Sequence, residues 1–148
     1  MSRVRPDRLA SGALFRVIRP ADRTPNEASG PMLREAAISR GLVGAQEIWL
    51  GYVELRPGTW SAAHHHGEAE SAIYIVSGRA RFFVGDQLQD IQDAEAGDFV
   101  WVPPYVVHVE MNRSDTEPLR TVVARSTQET LVFNVPTPQG FDLSLIHI

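Results

Sequence analysis

The densest chemical signal in this chain is Ala63-His64-His65-His66-Gly67-Glu68-Ala69-Glu70-Ser71. Alternate side chains of an extended backbone leave the same face, so His64 and His66 point one way and His65 the other. Two imidazoles at that spacing are able to meet one metal ion. His108 is remote in sequence, but it follows a strand bounded by Gly97 and Pro103-Pro104, and an antiparallel return would bring it to the same pocket. Glu70 adds an oxygen donor beside the first histidines. A mixed imidazole and carboxylate set suits Fe, Mn, Ni or Zn far better than an all-oxygen calcium site.

Composition removes several competing chemistries. There is no cysteine, and all 14 basic residues are arginine, so thiolate ligands, cysteine nucleophiles, disulfides and lysine Schiff bases are excluded. No phosphate-binding loop and no His-Glu-x-x-His helix occurs, and neither Ser61 nor Ser71 sits in a nucleophile elbow. With 18 acidic residues the net charge is −4, which lacks the basic footprint of a nucleic-acid binder. The arginines gather toward the start, eight of them in residues 1–40 against four acids. Dispersed in this way, they read as a solvated surface, as do Arg79 and Arg81 later in the chain. Glu68 and Glu110 likewise read as solvated acids. No apolar stretch approaches a membrane span, so the expectation is a soluble cytoplasmic protein with no membrane partner.

The elements that must carry the histidines are strands. At 148 residues and 43% hydrophobic content the chain fits one domain, taken as 1–148, with an arm and short helix over 1–40 and a β core over 47–135. Leu14–Ile18 reads as a strand, and Pro31–Ile38, with good helix formers, as one or two helical turns. From Glu47 onward β-branched and aromatic runs dominate. Glu47–Arg56, Ala72–Ser77, Ala80–Val84, Asp98–Val102, Val106–Glu110, Leu119–Ser126 and Thr130–Val135 are separated by Gly, Pro and Asn turns. That spacing predicts an all-β sandwich or partly closed barrel. The apolar end, Leu143–Ile148, reads as an edge strand or a contact between subunits.

Two longer stretches carry a family resemblance. Gly58-Thr-Trp-Ser-Ala-Ala-His64-His65-His66-Gly-Glu-Ala-Glu70-Ser71-Ala-Ile-Tyr-Ile-Val-Ser-Gly78 resembles the first motif of the cupin superfamily. It has the family's glycine, five residues, His-x-His, an acidic ligand and a turn glycine. Gly97-Asp-Phe-Val-Trp-Val-Pro103-Pro104-Tyr105-Val-Val-His108-Val-Glu-Met-Asn112 resembles the second, with glycine, proline, histidine and asparagine at the family's spacings. The resemblance implies a jelly-roll or double-stranded β-helix barrel with a short N-terminal helical segment, and a small single-domain cupin that forms a homodimer. It carries His64, His66, Glu70 and His108 onto the metal-ligand set, for one divalent transition metal per subunit, and Gly58, Gly78 and Gly97 onto turns. Asn112 falls on a structural position.

Two departures accompany it. Tyr105 stands where the family often has glycine, and the gap from Glu70 to Gly78 is one residue longer than the family's commonest pattern. Registered back from Gly78, Ser71 rather than Glu70 faces the metal, because a one-residue slip reverses the face. A local bulge that absorbs the extra residue restores Glu70. The first reading is a site with Glu70; the second is a three-histidine site. Tyr74 and Tyr105, each near a proposed ligand, are candidate contacts for a small-molecule ligand. The implied function is metal-assisted chemistry on a small oxygen-rich organic molecule, with oxidative cleavage ahead of isomerisation, decarboxylation or cyclisation. A non-catalytic, metal-dependent sensor or storage domain is the alternative. The segment from Trp60 to Gly67 also looks broadly like small aromatic-polyketide-cyclase cupins.

Overall fold

Period-two alternation of apolar and polar residues governs the architecture. In the computed structural model, which describes residues 15–26, 30–129 and 131–142, eleven strands form two antiparallel sheets. The strands are β1 (Thr24–Pro25), β2 (Leu33–Ile38), β3 (Trp49–Leu55), β4 (His64–His65), β5 (Ser71–Ser77), β6 (Arg79–Val84), β7 (Asp90–Glu95), β8 (Phe99–Val102), β9 (His108–Asn112), β10 (Leu119–Arg125) and β11 (Phe133–Asn134). One sheet runs β1-β2-β3-β10-β5-β8 and the other β11-β4-β9-β6-β7. The only α-helical turn among the described residues is α1 (Arg40–Val43). Ser39 caps it by accepting from the Leu42 amide, and Gly44 ends it at a φ of 74°.

Inward residues of β3, β5 and β10 alternate cleanly with outward ones. Val53, Leu55, Ile73, Ile75, Leu119 and Val123 meet Ala80, Phe82 and Ala94 of the opposite sheet in one core between the layers. Strand β9 breaks the pattern, because all five of its residues are buried. His108, Glu110 and Asn112 share one face. Val109 and Met111, on the other, pack with Ala63, Phe83 and Leu88 beneath Val135 and Phe141 of the C-terminal segment. That segment covers the outer face of the second sheet, so β9 has protein on both sides.

The expected strands from Glu47 to Ser126 are found, with ends shifted by a residue or two in either direction. Gly58, Gly78 and Gly97 all adopt positive φ, as turn glycines should. A side chain at Gly78 would also strike the Pro118 carbonyl oxygen. Three expectations are corrected. Pro31–Ile38 is not helical: Leu33–Ile38 is a strand, because Arg34 and Ala36 turn inward against β3 and sheet pairing outweighs local helix propensity. Phe15–Ile18 forms no strand. The last expected strand shrinks to Phe133–Asn134, Thr130 being outside the described residues, as are Leu14 and Leu143–Ile148. Strand β7 was not anticipated; its acid-rich run pairs with β6 while leaving most side chains in solvent.

Candidate metal centre

The pairing of β4 with β9 places His64 directly opposite His108. His66 lies just beyond β4, and the ring centroids are 5.0 Å apart for His64 and His66, 4.3 Å for His64 and His108, and 5.4 Å for His66 and His108. One ring nitrogen from each lies within 4.8 Å of the others, and all three side chains are buried. Every Nδ1 sits against a backbone carbonyl: His64 on Ala62 at 2.7 Å, His66 on Leu131 at 2.7 Å and His108 on Val106 at 3.0 Å. A carbonyl only accepts, so each Nδ1 donates and each Nε2 keeps its lone pair. Such carbonyl anchors fix the tautomer and ring orientation a metal requires.

Electrostatics keep the rings neutral. Burial, with the neighbouring His108 adding to it, pushes His64 down to about 2. Burial and then Arg125 push His66 down to about 3, and burial lowers His108 as well. Three neutral, convergent imidazoles fit a divalent transition metal.

His65 turns away, accepts from the Gly67 amide and stacks on Phe133. Glu70 does not join the group. Its side chain is exposed on the outer surface, and Trp101 Nε1 donates to its Oε1 at 3.1 Å. Ser71 is the inward residue, opposite Arg125 and Val102. The irregularity called for by the longer gap does exist, since the pairing of β5 with β10 slips between Ile75 and Ser77. It lies at the Gly78 end, however, and leaves the start of β5 in the register that buries Ser71. Tyr74 also faces outward, its ring 4.8 Å from that of Phe99. Tyr105 is an exposed loop residue at a φ of 62°, held by its amide donating to the Gly67 carbonyl. It therefore adopts the left-handed conformation of the glycine it replaces.

Three interior groups were not anticipated. Glu110 is 4% exposed on the same face as His108, with burial driving its carboxyl up to about 7 against the opposing pull of Arg34. Arg34 and Arg125 are buried as well, at 4% and 3%. Arg34 was read with the dispersed arginines as surface, because charge type outweighs face in a sequence, and Arg125 was placed only in its strand; each occupies an inward step of the β2 or β10 alternation. Their environment carries the expected sign, as burial lowers both guanidinium values, that of Arg125 to about 10. A cavity of about 500 Å³ runs between edge strands β7 and β8 to His108, lined by Phe82, Val84, Val100, Val102 and Val106.

A pH prediction follows for the metal-free protein. Histidines held below their ordinary 6.5 in the folded state protonate first in the unfolded chain, so stability is lost as pH falls from about 6.5 toward 3. Each contributes at most ~1.4 kcal/mol per pH unit. Glu110 works oppositely, its raised value removing stability as pH rises from 4.5 to about 7. Three histidines outweigh one carboxyl, and below 4.5 nothing opposes them. Thermal melts of metal-free protein should show a Tm that falls modestly from pH 7 to 5 and steeply below it; a flat profile contradicts neutral buried rings.

A family model described as a cupin domain matches residues 51–125. The polyketide cyclase RemF from Streptomyces resistomycificus superposes with a TM-score of 0.70 at 19% identity, over 84% of this chain and 88% of that one. A Klebsiella pneumoniae protein with a double-stranded beta-helix domain gives 0.64 at 19% identity, over 83% and 99%. Lactobacillus farciminis oxalate decarboxylase, solved as a formate complex, gives 0.67 at 24% identity over 78% of this chain, which spans about a third (34%) of the decarboxylase. No curated protein matches the sequence.

Proposed function

The chain belongs to the cupin family, and from that premise we propose that it is a metal-dependent enzyme acting on a small oxygen-rich organic molecule. The observation that carries this reading is the trio of buried, neutral, carbonyl-anchored imidazoles of His64, His66 and His108. They would hold one divalent ion, Fe, Mn, Ni or Zn, which when bound polarises a carbonyl or enolate oxygen and, if iron, opens dioxygen chemistry. The chain's own residues supply the rest. The cavity between β7 and β8, lined by Gln92, Asp93 and Asp98 as well as by apolar side chains, offers an approach to His108. Glu110, buried on the face of β9 that carries His108 and with its Oε1 unpaired, is a carboxyl placed to hold or release a proton there.

That buried carboxyl moves proton-transfer chemistry, meaning isomerisation, decarboxylation or cyclisation, ahead of oxidative cleavage. Cyclisation and decarboxylation are also the activities named for two structural neighbours. The test is metal analysis of protein grown in replete medium, followed by a substrate screen with the loaded form. One ion per chain and turnover lost in Glu110→Gln support the enzyme. Saturable binding without turnover leaves the sensor or storage alternative, and failure to take up metal rejects both.

The same reading includes a homodimer. Strands β5 and β8 present Tyr74, Val76, Phe99 and Trp101 outward as one apolar patch, with Phe99 79% and Trp101 64% exposed. A second copy laid against this face would cover it. Light scattering across the micromolar range should give twice the chain mass and Phe99→Glu should halve it; a monomeric unmodified protein rejects the dimer. No helix among the described residues is long and apolar enough to cross a membrane.

A further inference from the structure

Beside the three histidines the barrel interior holds more positive charge than it can balance. Arg34 and Arg125 lie on inward positions of β2 and β10, close enough that each bears electrostatically on His66 and Arg34 on Arg125. Arg34 also bears on His64, His108 and Glu110. Neither forms an ion pair among the described residues, although both are almost wholly buried. Buried cations without anions are rare because the desolvation loss is uncompensated.

Their donors are idle as well. Nε and Nη1 of Arg34, Nε and Nη2 of Arg125, Oγ of Ser71 and Oε1 of Glu110 are all buried with no hydrogen-bond partner. The two idle atoms of Arg125 form one edge of the guanidinium, the edge that takes both oxygens of a carboxylate. That edge is held in place, since the guanidinium carbon lies 4.9 Å over the Trp49 ring and Ser71 flanks it on β5. Trp49 in turn folds over Gly51, where any Cβ would collide with the indole.

We propose that this interior is a subsite for a small carboxylate-bearing ligand, its carboxylate clamped by Arg125 and Arg34 and a second oxygen reaching the metal held by the three histidines. Water would satisfy the idle donors but not the charge: two guanidiniums and a divalent ion face one carboxyl, Glu110. An arginine edge takes two oxygens of phosphate as readily as those of a carboxylate, but inorganic phosphate is one compact head, whereas a ligand with two separated acidic ends reaches the clamp and the metal together. The proposal deepens the metal-centre reading and rests on it only for the ligand's second oxygen.

Malonate is a suitable probe, with malonamide as its neutral counterpart and inorganic phosphate as the competing anion. Calorimetry on manganese-loaded protein should show saturable malonate binding, with malonamide at least ~10-fold weaker, as loss of a charge-assisted pair implies, and phosphate weaker than malonate because it engages only one end of the subsite. Arg125→Met and Arg34→Met should each weaken malonate at least ~10-fold while metal content stays constant, and Arg125→Lys, which keeps the charge but not the fork, should not restore affinity. Malonate should also raise the Tm of metal-free unmodified protein and not of metal-free Arg125→Met. Ligand-free Arg34→Met should melt higher than the unmodified protein, because an unpaired buried cation is removed; a lower Tm would assign Arg34 a structural role and overturn the clamp. Affinities unchanged in the arginine variants, no malonate binding, or tighter binding of phosphate would overturn it too. Arginine-dependent malonate binding in a protein that takes up no metal would instead reject the metal centre and leave the anion subsite standing.

Discussion

Replacing His64 with alanine is expected to lower divalent-metal affinity by more than about 100-fold, since losing even an outer hydrogen-bonding partner of a metal ligand costs 10- to 100-fold. The three ring centroids form a near-equilateral triangle of 5.0, 4.3 and 5.4 Å, so removing His64, which stands opposite His108 in the sheet, takes away one of three equivalent corners and leaves two imidazoles to hold the ion. The fold should survive, because the ring is neutral and its Nδ1 is bonded to the carbonyl of Ala62, two residues away, and so ties no distant element in place. The readout is therefore separable. Under saturating metal the unmodified protein gains stability by mass action, and a 100-fold weaker site forfeits about 2.7 kcal/mol of that gain. Metal-free melts of the two proteins should differ much less. His65→Ala and Glu70→Gln are the controls: one ring stacks on Phe133 and the other group accepts from Trp101, both outside the trio. If Glu70→Gln matched His64→Ala in metal loss, the register that buries Ser71 would be wrong.

That contrast marks where the sequence was readable. The positions of His64 and His66 follow from side-chain alternation, and the motif spacing around His108 implies its return, so the trio is legible in the sequence. Glu70 and Ser71 were not separable, because they differ by a single step of a period-two pattern and the decision rests on where β5 pairs with β10. Leu33–Ile38 went astray for another reason. Its residues favour a helix locally, while the partner that makes it a strand, β3, lies beyond α1. Glu110 and Arg34 were misread by type, and the burial of Arg125 was not read at all. A charged residue is exposed by default, and only the enclosure of β9 from both sides, or the inward alternation of β2 and β10, reverses that expectation. Buried charged groups of this kind are the ones least visible to composition, since burial runs against their type.

The motif's last residue shows the converse, a polar group whose burial is fully explained within the fold, and its loss should be the most damaging to stability. Asn112 is 0% exposed. Its Nδ2 donates to the carbonyls of Leu55 at 3.2 Å, Arg56 at 3.3 Å and Glu117 at 2.8 Å, while its Oδ1 accepts from the Ser114 amide at 2.9 Å. One side chain thus ties the end of β3 to the turn that leads into β10, and it does so from the strand that begins at His108. Ser114 extends the knot by accepting from Thr116 and Glu117 through Oγ and from Gly58 through its carbonyl. Asn112→Ala strands an amide and at least one carbonyl without water, each costing about 1–3 kcal/mol, and leaves a void besides. The expected loss is about 3–5 kcal/mol, which for a chain of this size lowers Tm by roughly 10 °C. Asn112→Asp should do no better, because a carboxylate cannot donate to the three carbonyls it would face. Denaturant titration measures the loss, and metal analysis of the folded fraction distinguishes its cause. Unchanged stoichiometry with a large fall in stability assigns Asn112 to the scaffold, whereas lost metal at undiminished stability would place it in the site itself.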